Sequence, residues 1–266
     1  MNDSDASSPR ITVERDGHVL LIGFHRPDKR NAADLRLLHE LSLAYVELER
    51  DPSLRAGFVF AHGDHFTGGL DLADVGPRIG PDGLDIVPEG GINPWAMDGR
   101  AVSKPVVMAV QGMCLTLGIE LILASDIAIA ADSSRFGQIE VSRGILAFGG
   151  ATIRLPRAVG WGNAMRWLLT GDTFDAAEAL RIGLVQEVVP HGEQYSRGLE
   201  LAQRVAAQAP LAVQATLANA RAAVREGDAA AERELQPELV RLAATEDART
   251  GMESFLSRTP AEFTGR

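Results

Sequence analysis

The residue most able to do chemistry is Glu120. It lies in the run Leu115-Thr116-Leu117-Gly118-Ile119-Glu120-Leu121-Ile122-Leu123. A carboxylate inside an apolar run must be hydrogen-bonded, protonated or catalytic, because burying a bare charge is costly. Glu140 follows in Phe136-Gly137-Gln138-Ile139-Glu140-Val141. Two glutamates in semi-apolar surroundings can hold one water between them and titrate apart. The plainer alternative is that Glu140 faces solvent on an alternating strand. A second candidate is Phe66-Thr67-Gly68-Gly69-Leu70-Asp71-Leu72. A Gly-Gly turn after a strand brings backbone N–H groups within reach of a ligand, and Asp71 is placed to cap the next helix. A plain strand-to-helix turn would read the same way. His62 and His65 have a spacing that can bind metal, but only acids stand nearby to complete a set, so structural loop histidines are expected. There is no Gly-x-Gly-x-x-Gly, no phosphate-binding Walker sequence and no apparent Ser-His-Asp set.

The surrounding pattern shows which elements must hold these groups. Ile11 to Arg15 and Val19 to Phe24 flank Asp16-Gly17 and read as a hairpin. Residues 34–50 carry Leu35, Leu38, Leu41, Tyr45 and Leu48 at three- and four-residue steps, which predicts a helix stopped by Asp51-Pro52. Gly57 to Ala61 reads as a strand. Residues 76–94 hold too many glycines and prolines for regular structure and are expected to form a mobile lid or an insertion. Val106 to Val110 then reads as a strand, Leu117 to Ala124 as a helix and Ile127 to Ala131 as a strand. Alternation of this kind implies a layered α/β core with partly parallel pairing. A helix is expected to start over Thr173 to Leu180, with Asp175 as N-cap and Glu178 at the third position. Leu184 to Val189 reads as a strand closed by Pro190. Beyond Gly192 the chain is rich in Ala, Leu, Glu and Arg, broken at Pro210 and Gly227-Asp228 into at least three helices. Two regions are therefore expected: an α/β core over 1–195 and a helical region over 196–266.

Composition narrows the function. The chain has 266 residues, with 26 Lys and Arg against 36 Asp and Glu, for a net charge of −10. So acidic a chain is ill suited to nucleic acid or an anionic membrane, both of which call for basic patches. Hydrophobic residues at 45% and charged residues at 23% describe a folded globular protein. Cys114 is the single cysteine, which excludes an intrachain disulfide and a cysteine-based zinc cluster. The polar start of the chain and the shortness of its apolar runs lead us to expect a cytoplasmic protein without a membrane span.

Taken in order, these segments resemble the enoyl-CoA hydratase/isomerase (crotonase) superfamily. His25-Arg26-Pro27-Asp28-Lys29-Arg30-Asn31-Ala32 is similar to that family's Arg-Pro-x-(Lys)-x-Asn-Ala segment. Phe66 to Leu72 resembles its Phe-x-x-Gly-x-Asp-Leu loop, and Lys104 to Gly112 the strand entering its active site. Glu120 with Ser125 to Ala130, Phe136 to Glu140, and Leu169 through Val185 resemble the remainder. Single motifs are weak; their order and spacing together are specific.

The resemblance implies a spiral of ββα units, followed by a helical region that builds trimers, often stacked as hexamers. It implies an acyl-CoA thioester as substrate, with coenzyme A part of that substrate, and neither a metal nor another cofactor. By position, Leu70 and Leu117 would supply the two N–H groups of an oxyanion hole. Glu140 would be the main proton donor and acceptor, and Glu120 would orient and activate water. Lys29, Arg30, Ala32, Gly68, Gly69, Asp71, Leu72 and Phe148 would contact the CoA ester. The implied reaction is hydration of a trans-2-enoyl-CoA to a 3-hydroxyacyl-CoA. The alternatives are isomerisation or another lyase reaction of the same superfamily, for which one acid–base group suffices, or acyl-CoA binding without catalysis. This chain departs from the family pattern at Thr116-Leu117, where Gly-Gly is common, at Ile139, where proline is frequent, and at Ala147-Phe148-Gly149-Gly150.

Overall fold

The computed structural model describes residues 8–97 and 100–266. The chain opens with the expected hairpin. Strands β1 (Ile11–Asp16) and β2 (Val19–Phe24) pair antiparallel around Gly17, whose φ of 56° suits a residue without Cβ. Helix α1 (Leu35–Arg50) follows. Its N-cap Asp34 accepts from Leu37 N at 2.9 Å, and the periodic leucines with Tyr45 form its buried face. Strand β3 (Ala56–Ala61) and the single-turn helix α2 (Leu72–Val75) come next.

The centre of the chain repeats one plan. Strand β4 (Val106–Val110) passes to β5 (Met113–Leu115) and then to α3 (Leu117–Ala124). Strand β6 (Ile127–Ala131) passes to β7 (Arg135–Gly137), a 3₁₀ turn over Glu140–Arg143 and the helices α4 (Ala151–Val159) and α5 (Trp161–Thr170). Strand β8 (Thr173–Asp175), helix α6 (Ala176–Ile182) and strand β9 (Glu187–Val189) close the core. The first, longer strand of each unit joins a six-stranded sheet in the order β1-β2-β3-β4-β6-β9, parallel except at the hairpin. The second, shorter strand joins a small sheet, β5-β7-β8. Isolated bridges from Ala33 to Leu70 and from Thr67 to Cys114 carry the same pattern back through the two earlier units. The chain thus winds as a spiral of ββα units, as the resemblance implies, and each turn delivers a short strand and a helix start to one side.

Two details differ from the sequence reading. Ahead of the helix that Asp175 caps as expected, accepting from Glu178 N at 2.9 Å, residues 173–175 form an unforeseen strand β8 that pairs antiparallel with β7. The strand expected over 184–189 shortens to Glu187–Val189, where it pairs with β6. The long segment is irregular over most of its length, with a 3₁₀ turn at Gly76–Arg78. It is tied down where Ser42 Oγ donates to Ile92 O at 2.8 Å, and Leu84 and Ile86 pack against the core.

The C-terminal helices are α7 (Gln194–Ala206), α8 (Pro210–Glu226), α9 (Asp228–Ala243) and α10 (Glu246–Ser257). Helix α7 packs on the large sheet: Ala202 and Ala206 are buried with Phe58, Val107 and Ala109. Helix α8 buries none of its residues, and Val224, Leu235, Leu239, Val240, Phe255 and Leu256 stand exposed across α8 to α10. No described helix is long and apolar enough to cross a membrane.

Candidate active site

The short strands converge on a cavity of about 270 Å³. Glu120, Glu140, Thr116, Leu117 and the Gly68 to Leu70 turn line it, with an apolar wall that includes Leu38, Leu72, Ile86, Trp95 and Phe148.

Two backbone amides face no acceptor, each for its own reason. Gly69 O accepts from Ala33 N at 2.8 Å, and Asp71 N donates to Ala33 O at 2.9 Å. In an extended pair only alternate residues address the neighbour, so the N–H of Leu70, between them, is turned away from Ala33. Leu117 is the first residue of α3, and a helix leaves its first N–H groups without intrahelical partners. Among the described residues neither amide has a hydrogen-bond acceptor. The two come from successive turns of the spiral and are locked together by Thr67 N to Met113 O at 2.9 Å and Leu115 N to Thr67 O at 3.1 Å.

Both glutamates are buried. Glu120 is 3% exposed, one turn into a helix whose first six residues are all buried. Burial pushes its carboxyl up to about 7, and the nearby Glu140 pushes the same way. The largest opposing influence is the Ala151 amide, which donates to Oε1 at 3.1 Å from the start of α4; the Gly149 amide and the Arg154 charge act in the same sense. Glu140 is 7% exposed at the head of its 3₁₀ turn, not on a solvent-facing strand, and burial raises its carboxyl too. Its Oε2 is buried with no partner among the described residues. Two carboxyls whose affinity for protons is raised by burial thus share one cavity.

Thr116, just before Leu117, has φ 48° and ψ −111°. That region is natural for glycine and strained for a β-branched residue, costing about 1–3 kcal/mol. Gly69 faces it at φ 98°, and a Cβ added there would lie 2.5 Å from Thr116 Oγ1. Gly149 is equally constrained. A Cβ there would sit 2.8 Å from Glu120 Cδ, so Gly149→Ala should displace the carboxylate. We expect that variant to fold with near-normal melting behaviour and to lose at least about tenfold in turnover, since small misplacements of reacting groups are costly. Unchanged kinetics would show that the Glu120 position is not critical.

A network outside the cavity holds the loops that form it. Arg26 is buried; its Nη1 donates to Asp71 Oδ2 at 2.7 Å and to Ala32 O at 2.8 Å. Asn31, fully buried, donates through Nδ2 to the carbonyls of His62 and His65 at 2.9 and 2.7 Å and accepts from Arg26 N. His62 meets Thr12 Oγ1 through Nε2, and His65 Nδ1 accepts from Met113 N, so both rings have structural partners.

Three comparisons bear on this arrangement. A family model described as enoyl-CoA hydratase/isomerase matches residues 14–266. A crystal structure of a probable enoyl-CoA hydratase/isomerase from Mycobacterium abscessus superposes with a TM-score of 0.93 at 58% identity, covering 97% of this chain and 99% of that one. The chain belongs to the enoyl-CoA hydratase/isomerase family. Among its relatives are enoyl-CoA hydratase EchA19 of Mycobacterium tuberculosis, 32% identical over 98% of both chains, and 2,3-dehydroadipyl-CoA hydratase of Escherichia coli, 33% identical over 96% of this chain and 99% of the relative. The mixed α/β spiral is the fold of this family.

Of the residues singled out in the sequence, the structure gathers Gly68, Gly69, Leu70, Leu72, Leu117, Glu120, Glu140 and Phe148 around the cavity. Lys29, Arg30 and Ala32 lie outside its lining. Arg30 stays adjacent, its carbonyl accepting from Gly68 N at 2.8 Å. Asp71 is a correction. Its carboxylate neither lines the cavity nor caps α2; it is taken by Arg26, which makes it a loop clasp. Trp95 went unnoticed in the sequence. It is 2% exposed and donates from Nε1 to Leu117 O at 3.1 Å, bracing the turn that presents the Leu117 amide. Arg154 was missed as well; it holds Trp95 O at 2.6 Å and Gly149 O at 3.3 Å. A lone tryptophan after a Gly/Pro-rich stretch is the one signal that pointed there.

Proposed function

We propose that this chain hydrates a trans-2-enoyl-CoA to the 3-hydroxyacyl-CoA. The observation carrying this reading is that two buried glutamates and two acceptor-free amides share one apolar cavity. The family assignment and relatives named as hydratases support it. The thioester oxygen accepts from Leu70 and Leu117 N–H, which stabilises the negative charge that gathers on it. Water oxygen bonds to C3. One water proton passes to Glu140 and one proton passes from Glu140 to C2, so the glutamate ends as it began. Glu120 holds and polarises the water. The net change is addition of water, and it draws on no metal or redox group.

The test is a panel of trans-2-enoyl-CoAs of rising chain length, followed by loss of the conjugated-thioester absorbance, with 3-enoyl-CoAs alongside. Hydration of at least one chain length is expected. No hydration of any would sink the proposal, and isomerisation surviving Glu120→Ala would favour the isomerase alternative. Lys29 and Arg30 are exposed and pair with no carboxylate among the described residues. We place the CoA phosphates against them. KM should therefore rise with ionic strength while kcat holds, and a KM indifferent to salt would remove them from the site. The exposed apolar residues of α8 to α10 support a homotrimer or hexamer built through these helices, and a cytoplasmic setting suits the substrate.

A further inference from the structure

The reading of the cavity as a thioester site leaves one group unused. Thr116 Oγ1 is buried and has no hydrogen-bond partner among the described residues. A buried hydroxyl without a partner is costly, and native structures rarely leave one without cause. Its setting is unusual in two further ways. The residue holds a backbone conformation that suits glycine, at φ 48°. The hydroxyl also lies against Gly69, 2.5 Å from where a Cβ would stand, and thus within about 4 Å of the Gly69 α-carbon once a C–C bond length is added.

Both positions adjoin the proposed donors. Gly69 Cα is two covalent bonds from Leu70 N. Thr116 Oγ1 is four bonds from Leu117 N. The hydroxyl thus packs against the residue before Leu70 and belongs to the residue before Leu117, and Thr116 lines the cavity with both. A hydroxyl on this lining can turn its hydrogen about the Cβ–O bond toward a ligand oxygen. Alanine or glycine here would relieve crowding, and glycine would also relieve the backbone. A threonine in this strained position is accounted for if the hydroxyl acts on the ligand.

We propose that Thr116 Oγ1 is a third hydrogen-bond donor to the thioester oxygen, completing the hole formed by the Leu70 and Leu117 N–H groups. It is a catalytic residue in the strict sense, because its hydrogen meets the atom on which charge develops. Three donors polarise the carbonyl more than two and stabilise the enolate-like state preferentially, so the contribution falls on kcat rather than on KM.

The experiment uses the full chain and a saturated probe, butyryl-CoA labelled with ¹³C at its carbonyl, which has no double bond to hydrate. Infrared difference spectra read the carbonyl stretch of the bound probe in wild type, Thr116→Val, Thr116→Ser and Thr116→Gly. Wild type and Thr116→Ser should show the same lowered stretch. Thr116→Val, nearly equal in shape, should shift it back toward the free value and lower kcat by about 10–100-fold with KM within about threefold, in the range for losing one donor of such a hole. If Thr116→Val fails to fold, Thr116→Gly decides by the same spectrum, since it removes the hydroxyl and relaxes the backbone. An unshifted stretch and a wild-type kcat in the hydroxyl-free variants would overturn the proposal and leave Thr116 as filler. The outcomes stay separable from the hydratase reading: a wild type that hydrates nothing would sink that reading, whereas the spectra of the saturated probe would still judge the hydroxyl.

Discussion

Glu140→Gln should remove hydration while leaving the CoA ester bound. The side chain keeps its size and loses only the ability to accept and return a proton. A positioned acid–base group is worth about 10²–10⁴-fold in rate, and the proposed mechanism routes both proton transfers through this carboxyl, so we expect a loss toward the upper end of that range. Among the described residues its Oε2 has no partner to lose and its carboxylate no salt bridge to break. Its raised proton affinity comes chiefly from burial, so an uncharged amide suits the site at least as well. The melting temperature should hold. Steady-state hydration rates and calorimetric titration with butyryl-CoA read the two effects separately. Turnover within about tenfold of wild type would remove Glu140 from its role. Loss of binding together with turnover would recast it as a positioning group.

The parts of this molecule that showed in its sequence are those whose signal is local. Leu35 to Leu48 repeats at helical spacing, and the helix is there, with Asp34 capping it. The hairpin at Gly17 and the helix from Leu117 to Ala124 are likewise where periodicity and turn chemistry put them. Glu120 drew notice because a carboxylate among leucines and isoleucines is out of place, and the burial that makes it so is what raises its proton affinity. What stayed hidden depends on distant partners. Strands β5, β7 and β8 have three residues each, too few for an alternation to register, and exist because they pair with one another. The cap at Asp175 was legible, but the strand over residues 173–175 leading into it was not, because it exists through pairing with β7. Asp71 looked like a cap because aspartate before a short helix usually is one; Arg26, 45 residues earlier, claims it instead. Trp95 matters only through Leu117 O, 22 residues on. The spiral explains the pattern. It builds the site from the ends of successive units, so residues that meet there are separated by a whole unit in sequence.

Glu120→Gln should separate stability from activity. The folded carboxyl holds its proton up to about pH 7, against an ordinary value of 4.5. Between those pH values the unfolded chain gives up a proton that the folded chain keeps, so the fold loses stability as pH rises from about 4.5 to 7, and above 7 the whole penalty is present. The gap corresponds to at most about 3 kcal/mol. Glutamine removes the charge and keeps an oxygen to accept from the Ala151 amide, now 3.1 Å from Oε1. Part of the gain is offset because its NH₂ needs an acceptor in a buried place. A net gain of about 1–2 kcal/mol should raise the melting temperature by about 2–8 °C at pH 8. The difference should fall steeply toward pH 5, where the carboxyl is protonated in the fold but still mostly ionised in the unfolded chain, so that only about a quarter of the penalty remains. Hydration at pH 8 should fall by about 10²–10⁴-fold, because an amide polarises water poorly, and the ratio should narrow below pH 7 as the native carboxylate is itself protonated. Thermal melts of both proteins from pH 5 to pH 8 decide the matter. Equal or lower stability of the variant at pH 8 would show that the fold is not working against this charge. A gain at pH 8 alongside lost turnover would mean that the carboxylate is kept for its chemistry at the expense of the fold around it.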